Sequence, residues 1–197
     1  MLELLQNWLI TNGLADSLAF YVARAIAVTV VLILSAAADF IAKRYIVRAL
    51  SYAISRSKTK WDDALVRQRA LNRMAHLAPA LVIYLLTPLA LEGFEPAASF
   101  IRSAVLIYMI IMIMLVLDSL LNTVENVYQD YQAAREIPIK GFIQVLKLAL
   151  YFLTGIFVVS IILDKTPVYL LSGLGALAAV MMLVFRDSIL GFVAGIQ

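Results

Sequence analysis

Five apolar runs divide this chain, and all five are long enough to cross a lipid bilayer. A transmembrane helix needs about 20 mostly apolar residues to cross roughly 30 Å of hydrocarbon. The composition agrees, because 63% of the 197 residues are hydrophobic and only 15% are charged. Soluble domains are about half apolar and a quarter charged. The sequence therefore predicts an all-α membrane protein with five transmembrane helices, formed by residues 19–42, 75–91, 100–121, 142–163 and 169–197.

Lysine and arginine are distributed unequally between the two sets of loops that join these runs. Residues 1–18 and 93–99 contain none, and residues 164–168 contain only Lys165. Because positive residues concentrate on the cytoplasmic side, the N-terminus is predicted outside and the C-terminus inside. The basic residues of the inner loops are Lys43, Arg44, Arg48, Arg56, Lys58, Lys60, Arg67, Arg69, Arg73, Arg135 and Lys140.

Two amphipathic segments lie outside the first two spans, and two prolines lie within the second span. Residues 56–74 place apolar side chains roughly on one helical face and arginines on the other. This pattern fits an interfacial helix on anionic lipid and a polar extension of the second span equally well. Residues 1–10, which include Trp8, have a weaker amphipathic pattern suited to the outer surface. Pro79 and Pro88 predict a kink or tilt in the second span.

Residues that commonly carry chemistry are scarce. The chain has no cysteine, which excludes a thiolate nucleophile and a Cys-based zinc site. The one histidine, His76, argues against a His-cluster metal site and a Ser-His-Asp triad. No Gly-rich phosphate loop, carboxylate pair or metal motif is present. We therefore expect neither an enzyme nor a cofactor, and the position of the basic residues in membrane loops argues against a nucleic-acid partner.

The charged residues of the first four runs lie toward the ends of the spans. Arg24 and Arg102 lie within the outer turns, where a long side chain can reach the lipid headgroups. Asp39 lies near the inner end of the first span, Asp118 is expected to close the third, and Lys147 lies near the start of the fourth. We expect all five to be solvated at the membrane surface. A coupled transporter would usually place a carboxylate at the centre of a span.

The fifth run differs from the other four. Its first half contains small residues on more than one helical face, which let neighbouring helices approach closely, as in a ring. The tripeptide Arg186-Asp187-Ser188 then interrupts the apolar sequence and predicts a break, after which Gly191 and Gly195 follow. The small residues are Ser172, Gly173, Gly175, Ala176, Ala178 and Ala179.

These residues carry a family resemblance. The string SGLGALAAVMMLVFRDSILGFVAGIQ, at residues 172–197, resembles the pore-lining helix of the MscS family of mechanosensitive channels. With five spans and the preceding IPIKGFIQVLKL it is most similar to the miniconductance, YbdG-type branch, and the resemblance covers roughly residues 136–197. It implies a homoheptamer in the bacterial inner membrane, with the last span lining the axis. Membrane tension would open the pore and release ions and solutes during hypoosmotic shock.

The resemblance also implies roles for individual residues. The two constricting positions of the family fall on Ala179 and Leu183. Because the alanine is small, we expect the gate to rest on Leu183, aided by Met182 or Phe185. The expected helix-packing residues are Gly173, Gly175, Ala176 and Ala178, and the expected kink or hinge residues are Arg186, Asp187 and Gly191.

The domain organisation and the partners follow from the same resemblance. Residues 1–168 would form a tension-sensing region of four transmembrane helices, and residues 169–197 the pore helix. The family continues into a soluble cytoplasmic β-rich domain, which we expect beyond residue 197. The expected partners are membrane lipids, further copies of the chain and permeating ions. Two alternatives stay open, namely a transporter subunit, which should have a midplane polar site or related halves, and a non-conducting membrane scaffold or regulator.

Overall fold

The computed structural model of the chain describes residues 2–46, 70–129 and 139–194. Within these ranges every regular element is helical and no strand occurs. Five helices are long and apolar enough to cross a membrane. The prediction of an all-α protein with five candidate spans is therefore confirmed, and these spans indicate a multi-pass membrane protein. Most of the amphipathic segment predicted at residues 56–74 lies outside the described residues, as do Arg135 and the last three residues of the fifth run.

The bounds of the second and third spans differ from those of their apolar runs. The third span is longer than its apolar run, so Asp118 lies well inside the helix and does not close it. The second span is interrupted at His76, because Pro79 has no N–H for the carbonyl of Ala75 and its ring crowds that carbonyl. The helices are α1 (Leu2–Thr11), α2 (Asp16–Ile41, followed by a π-helical turn at Ala42–Ile46), α3 (Ala70–Ala75), α4 (Leu77–Ala90), α5 (Glu95–Gln129), α6 (Lys140–Ile162) and α7 (Pro167–Ala194).

Side-chain contacts show that successive long helices of the bundle are antiparallel. Arg24 in the first half of α2 donates from Nε to the carbonyl oxygen of Glu92, just beyond α4, at 3.1 Å. Ser35, further along α2, donates from Oγ to the carbonyl oxygen of Pro79 near the start of α4, at 3.3 Å. The same crossing pattern joins α5 to its neighbours, through contacts of Arg102 with Tyr84, Arg73 with Ser119, Tyr151 with Asp118 and Lys147 with Asn122.

Small side chains occupy the buried positions between these helices. Seven of the 13 buried hydrophobic residues in the described part of the chain are alanine. The largest fully buried side chains there are Thr123 and Ser119. Helices in a membrane gain no hydrophobic free energy by meeting each other, so they associate through close packing of small residues. The buried alanines are Ala19, Ala23, Ala42, Ala75, Ala80, Ala90 and Ala98.

The N-terminal helix α1 packs on the first half of α2. Leu9 is buried in a cluster with Ala19 and Ala23, whereas Trp8 is 65% exposed. The reversal between the two helices depends on Gly13, whose φ of 94° is easily adopted only by a residue without a Cβ. Its N–H donates to the carbonyl of Ile10, which ends the helix in the manner of a Schellman motif.

The chain divides into two compact units, Met1–Tyr151 and Phe152–Gln197. In the second unit, the turn between α6 and α7 is specified by local chemistry. Asp164 has a φ of 51°, and the following residue, Lys165, donates from its backbone N–H to the carbonyl of Ser160. Thr166 then caps α7, accepting a hydrogen bond from the N–H of Tyr169 at 3.3 Å. Pro167 occupies the first position of α7, where its missing N–H leaves no helical bond unmade.

Candidate pore helix and the polar contacts of the bundle

The surface of α7 is exposed from residue 171 to residue 194. Leu183 is 68% exposed and Met182 is 76% exposed, although both are strongly apolar. A Cβ added at Gly173 or Gly175 would meet nothing within 4 Å. Apolar surface of this extent requires lipid or other helices to cover it. The predicted pore helix is therefore present as a helix, with its small residues accessible to neighbours.

The predicted break at Arg186-Asp187-Ser188 is absent from the hydrogen-bonded helix. The helix α7 continues through these three residues to Ala194 without interruption. The physical reason is that arginine, aspartate and serine all tolerate helical dihedral angles, and only proline carries a large penalty. A hinge at Arg186, Asp187 or Gly191 therefore stays a prediction about movement and has no counterpart as a break in this helix.

The gate residues of the sequence analysis do not all lie on one face of this continuous helix. Ala179, Met182, Leu183 and Arg186 line one shallow depression on it, together with Ile189 and Leu190. Successive residues turn by about 100° around a helix, which places Phe185 about 160° from Leu183. The structure therefore brings Met182 and Leu183 together with Ala179 and separates Phe185 from them. It also adds Arg186 to the face of the expected constriction.

The predicted packing residues divide into two groups by the same geometry. Gly175 and Ala176 lie within about 60° of Ala179, so they belong to the face of the expected gate. Gly173 and Ala178 lie about 120° and 100° from Ala179, on opposite flanks. A helix in a ring contacts one neighbour on each flank. The two flanking residues are thus the better candidates for close helix–helix contact.

A polar network joins α5 to the first half of α6 in the first unit. Asp118 accepts hydrogen bonds on both carboxylate oxygens, from Tyr151 Oη at 2.6 Å and from Asn122 Nδ2 at 3.1 Å. Lys147 donates to Asn122 Oδ1 at 2.6 Å and lies 3.7 Å from Glu125. The Lys147 and Glu125 side chains are only 18% and 14% exposed. Each charged side chain of the network thus has a partner, either on the other helix or on the same helix.

This network differs from the expectation that the charged residues are simply solvated at the membrane surface. Sequence reasoning singled out Asp118 and Lys147 and missed Asn122 and Tyr151. The sequence does contain a signal for this network, because Asp118 and Asn122 are four residues apart, as are Lys147 and Tyr151. Such pairs lie on one helical face. Two faces of this kind on antiparallel helices can bond to each other.

Two further polar contacts involve residues near the predicted inner end of the bundle. Asp39 contacts Lys43 one turn along at 2.7 Å and His76 at 3.7 Å. Arg73 donates from Nη1 to Ser119 Oγ at 2.6 Å and to the carbonyl oxygen of Leu115 at 2.8 Å. These contacts link the elements around His76 to α2 and α5. Their geometry is that of structural ties between helices.

Replacing Tyr151 with phenylalanine should destabilise the α5–α6 contact, because Asp118 loses a hydrogen-bond donor and the ring is kept. We expect a loss of about 1 kcal/mol, since a hydrogen bond to a charged group at a partly exposed site contributes that order of free energy. Thermal unfolding of the detergent-solubilised protein measures it as a midpoint lowered by a few degrees. Tyr21→Phe, at another exposed tyrosine, is the matched control. Equal midpoints for the two variants would contradict a stabilising role for the network.

The comparisons with known proteins give no family assignment. No protein-family model matches the sequence, and no solved structure matches the chain. The resemblance described above therefore stays a prediction drawn from the residues themselves.

Proposed function

We propose that this protein is a mechanosensitive channel of the bacterial inner membrane, which opens under membrane tension and releases ions and solutes in hypoosmotic shock. Several copies, expected to be seven, would surround a pore lined by α7. The observation that carries the proposal is the exposure of α7 from residue 171 to residue 194. A helix of this kind has surface available for neighbouring copies on both flanks and for a pore on its third face.

The closed state would depend on a ring of apolar side chains. A hydrated ion cannot easily cross a constriction that is too narrow and apolar to hold water. Leu183 is the residue best suited to form this ring, with Met182 beside it on the same face. Ala179 lies one turn earlier, but its methyl group is too small to close the path alone.

Tension would act on this gate as an effector that distinguishes two states. An open state that occupies more membrane area is favoured as tension rises, because expansion against tension releases free energy. The helices of the first unit would be the lipid-facing sensor. Their polar ties, between Asp118 and Tyr151 and between Arg73 and Ser119, support movement of these helices together.

Patch-clamp recording under suction tests the proposal directly. Membrane patches from cells that express the protein, and lack other mechanosensitive channels, should show currents that appear above a threshold of suction. The same cells should survive a sudden fall in external osmolarity better than cells without the protein. A scaffold would give no current at any suction, and a transporter would give substrate uptake without a tension threshold. Either result would overturn the proposal.

The proposed orientation predicts which introduced cysteines react with a membrane-impermeant reagent, since the chain has none of its own. Ala97→Cys and Lys165→Cys should be labelled from outside intact cells, and Ser57→Cys only after permeabilisation. Gly93 is unsuitable as a labelling site, because its φ is 91° and an added Cβ would lie 3.3 Å from Phe20. Labelling of Ser57→Cys in intact cells would contradict the proposed topology.

The position of Arg186 predicts the charge preference of the pore. Arg186 shares a face with Leu183, three residues further along α7. If that face lines the axis, each copy contributes a guanidinium to a ring next to the gate, and such rings favour anions. We expect reversal potentials in asymmetric KCl to indicate preferential permeation of chloride. Arg186→Gln should reduce that preference, whereas Lys165→Gln in the loop before α7 should leave it unchanged.

A further inference from the structure

A polar pocket lies between α4 and α5, toward the end of the bundle at which these two helices are connected. Its volume is about 370 Å³, which is within the range of small-ligand sites. Its lining includes a cation, a carboxylate and three hydroxyl groups, contributed by Arg102, Glu95, Tyr84, Ser99 and Ser103. The channel function proposed above uses none of these residues.

The cation of the pocket is incompletely bonded. Arg102 donates from Nη2 to Tyr84 Oη at 3.1 Å, and its guanidinium carbon lies 4.8 Å from the centre of the Tyr84 ring. Its Nε is buried and has no hydrogen-bond acceptor in the described part of the chain. A guanidinium has five N–H donors, and leaving a buried charged donor without an acceptor is unfavourable. Arg102 also lines the pocket, so its donors that are not buried are available there to an anionic oxygen.

The pocket also carries a balancing negative charge. Glu95 lies two turns before Arg102 on the same face of α5, about 10 Å nearer the start of the helix. The long arginine side chain leans toward the helix start, which brings the two charges toward each other across the pocket. Pro88, which also lines the pocket, has no N–H, so the carbonyl oxygen of Tyr84 cannot receive its usual helical bond. One cation and one carboxylate favour a zwitterion over a simple anion.

A second groove of the first unit provides a comparison. It has the same volume, about 370 Å³, and lies between α1 and α2. Its lining is entirely apolar, from Leu4, Leu5, Trp8, Leu9 and Ile26. That groove suits hydrocarbon and offers a headgroup nothing to bind. The paired charges and the hydroxyls of the α4–α5 pocket are therefore absent from the α1–α2 groove.

We propose that the α4–α5 pocket binds a phosphoethanolamine group, with the phosphate on Arg102 and the hydroxyls and the ammonium directed toward Glu95. Arg102 lies about 10 Å inside the start of α5, and an arginine at that depth reaches the level of the lipid phosphates. The group can belong to phosphatidylethanolamine of the adjacent leaflet or to a soluble ester of the same chemistry. Binding of either kind does not depend on pore formation.

Lipid retention by the purified protein tests this assignment. The detergent-solubilised protein is equilibrated with equal amounts of phosphatidylethanolamine and phosphatidylglycerol, and bound lipid is counted by native mass spectrometry. We expect wild type to retain phosphatidylethanolamine preferentially, and Arg102→Gln to reduce that retention about ten-fold. Glu95→Gln should remove the preference and leave phosphatidylglycerol bound. Arg102→Lys should restore part of the binding, and Lys165→Gln, which changes a cation outside the pocket, should behave as wild type.

A second measurement does not require any charged residue to be changed. Ser103→Cys in the cysteine-free chain should react with a small maleimide in phosphatidylglycerol nanodiscs and be protected in phosphatidylethanolamine nanodiscs. Protection by millimolar glycerophosphoethanolamine in phosphatidylglycerol nanodiscs would identify the soluble ester as a sufficient ligand. Protection by the lipid alone would identify the membrane as the source. Equal labelling under all conditions, or equal lipid retention by wild type and Arg102→Gln, would overturn the assignment.

Discussion

Replacing Leu183 with serine should open the channel at lower membrane tension than the wild type requires. Each substitution removes an apolar side chain from the proposed ring, and burying a leucine contributes about 2 kcal/mol. The loss is repeated in every copy, so the closed state is destabilised by several times this amount. Serine also supplies a hydroxyl that holds water in the constriction. Patch-clamp recording should give a reduced threshold, and cells that express the variant should leak solutes and grow poorly.

Two control variants test whether the effect belongs to this face of α7. Phe185→Ser removes a larger apolar side chain about 160° away from Leu183 on the same helix. Ile161→Ser places the same polar group in α6. Neither should lower the threshold. If Leu183→Ser has no effect while Met182→Ser or Phe185→Ser lowers the threshold, the pore-facing side of α7 must be rotated from the one proposed here.

The existence of the helices was predictable because the apolar runs are long. The described residues include five helices suitable as spans, and the bounds of α6 differ from the fourth apolar run by only a residue or two at each end. The end of α5 was not predictable in this way. Hydropathy falls after residue 121, but residues 122–129 stay helical because asparagine, threonine and glutamate do not stop a helix. An apolar run indicates which part of a helix lies in lipid. The helix itself ends at a capping residue or a proline, so the two bounds can differ.

The contacts between helices could not be predicted from the sequence. Arg24 was expected to reach the headgroups, yet it donates to Gln6 Oε1 at 2.9 Å and lies 3.6 Å from the centre of the Phe20 ring. Arg102 was likewise expected at the membrane surface, and the structure adds a contact with Tyr84 at 3.1 Å. Each pair is 18 residues apart in the sequence, and its formation depends on the register of two helices. Composition and periodicity fix the apolar face of a helix but not its axial position against a neighbour.

The candidate site on α7 was predictable as a set of residues but not as a surface. The resemblance identified the gate, packing and hinge residues by their order in the sequence. Only a continuous helix decides that Arg186 shares a face with Leu183, whereas the separation of Phe185 from Leu183 does not depend on residues 186–188. A break at Arg186 would have altered this first relation, because Arg186 and the residues beyond it would no longer follow the helical phase of Leu183. The same geometry separates the packing residues and leads to the next prediction.

Replacing Gly173 with leucine should prevent assembly of the oligomer. Gly173 lies on a flank of α7, about 120° from Ala179, where a neighbouring helix would approach most closely in a ring. In the single chain an added Cβ at this position meets nothing within 4 Å, so we expect the substitution to leave the fold of the protomer intact. Between copies, a leucine side chain would separate backbones that glycine lets meet, at about 1–3 kcal/mol per interface. Light scattering of the detergent-solubilised protein should therefore report smaller particles than wild type.

Ala176→Leu and Leu177→Phe distinguish this packing role from a general effect of added volume. Ala176 lies about 60° from Ala179, so a leucine there should keep the oligomer and narrow the pore. Leu177 lies about 160° from Ala179, toward lipid, so phenylalanine should change neither assembly nor conductance. If Gly173→Leu assembles normally while Leu177→Phe does not, the helix contacts its neighbours through the opposite face. In that case Leu177 would lie between helices, and the pore-facing side of α7 would have to be reassigned.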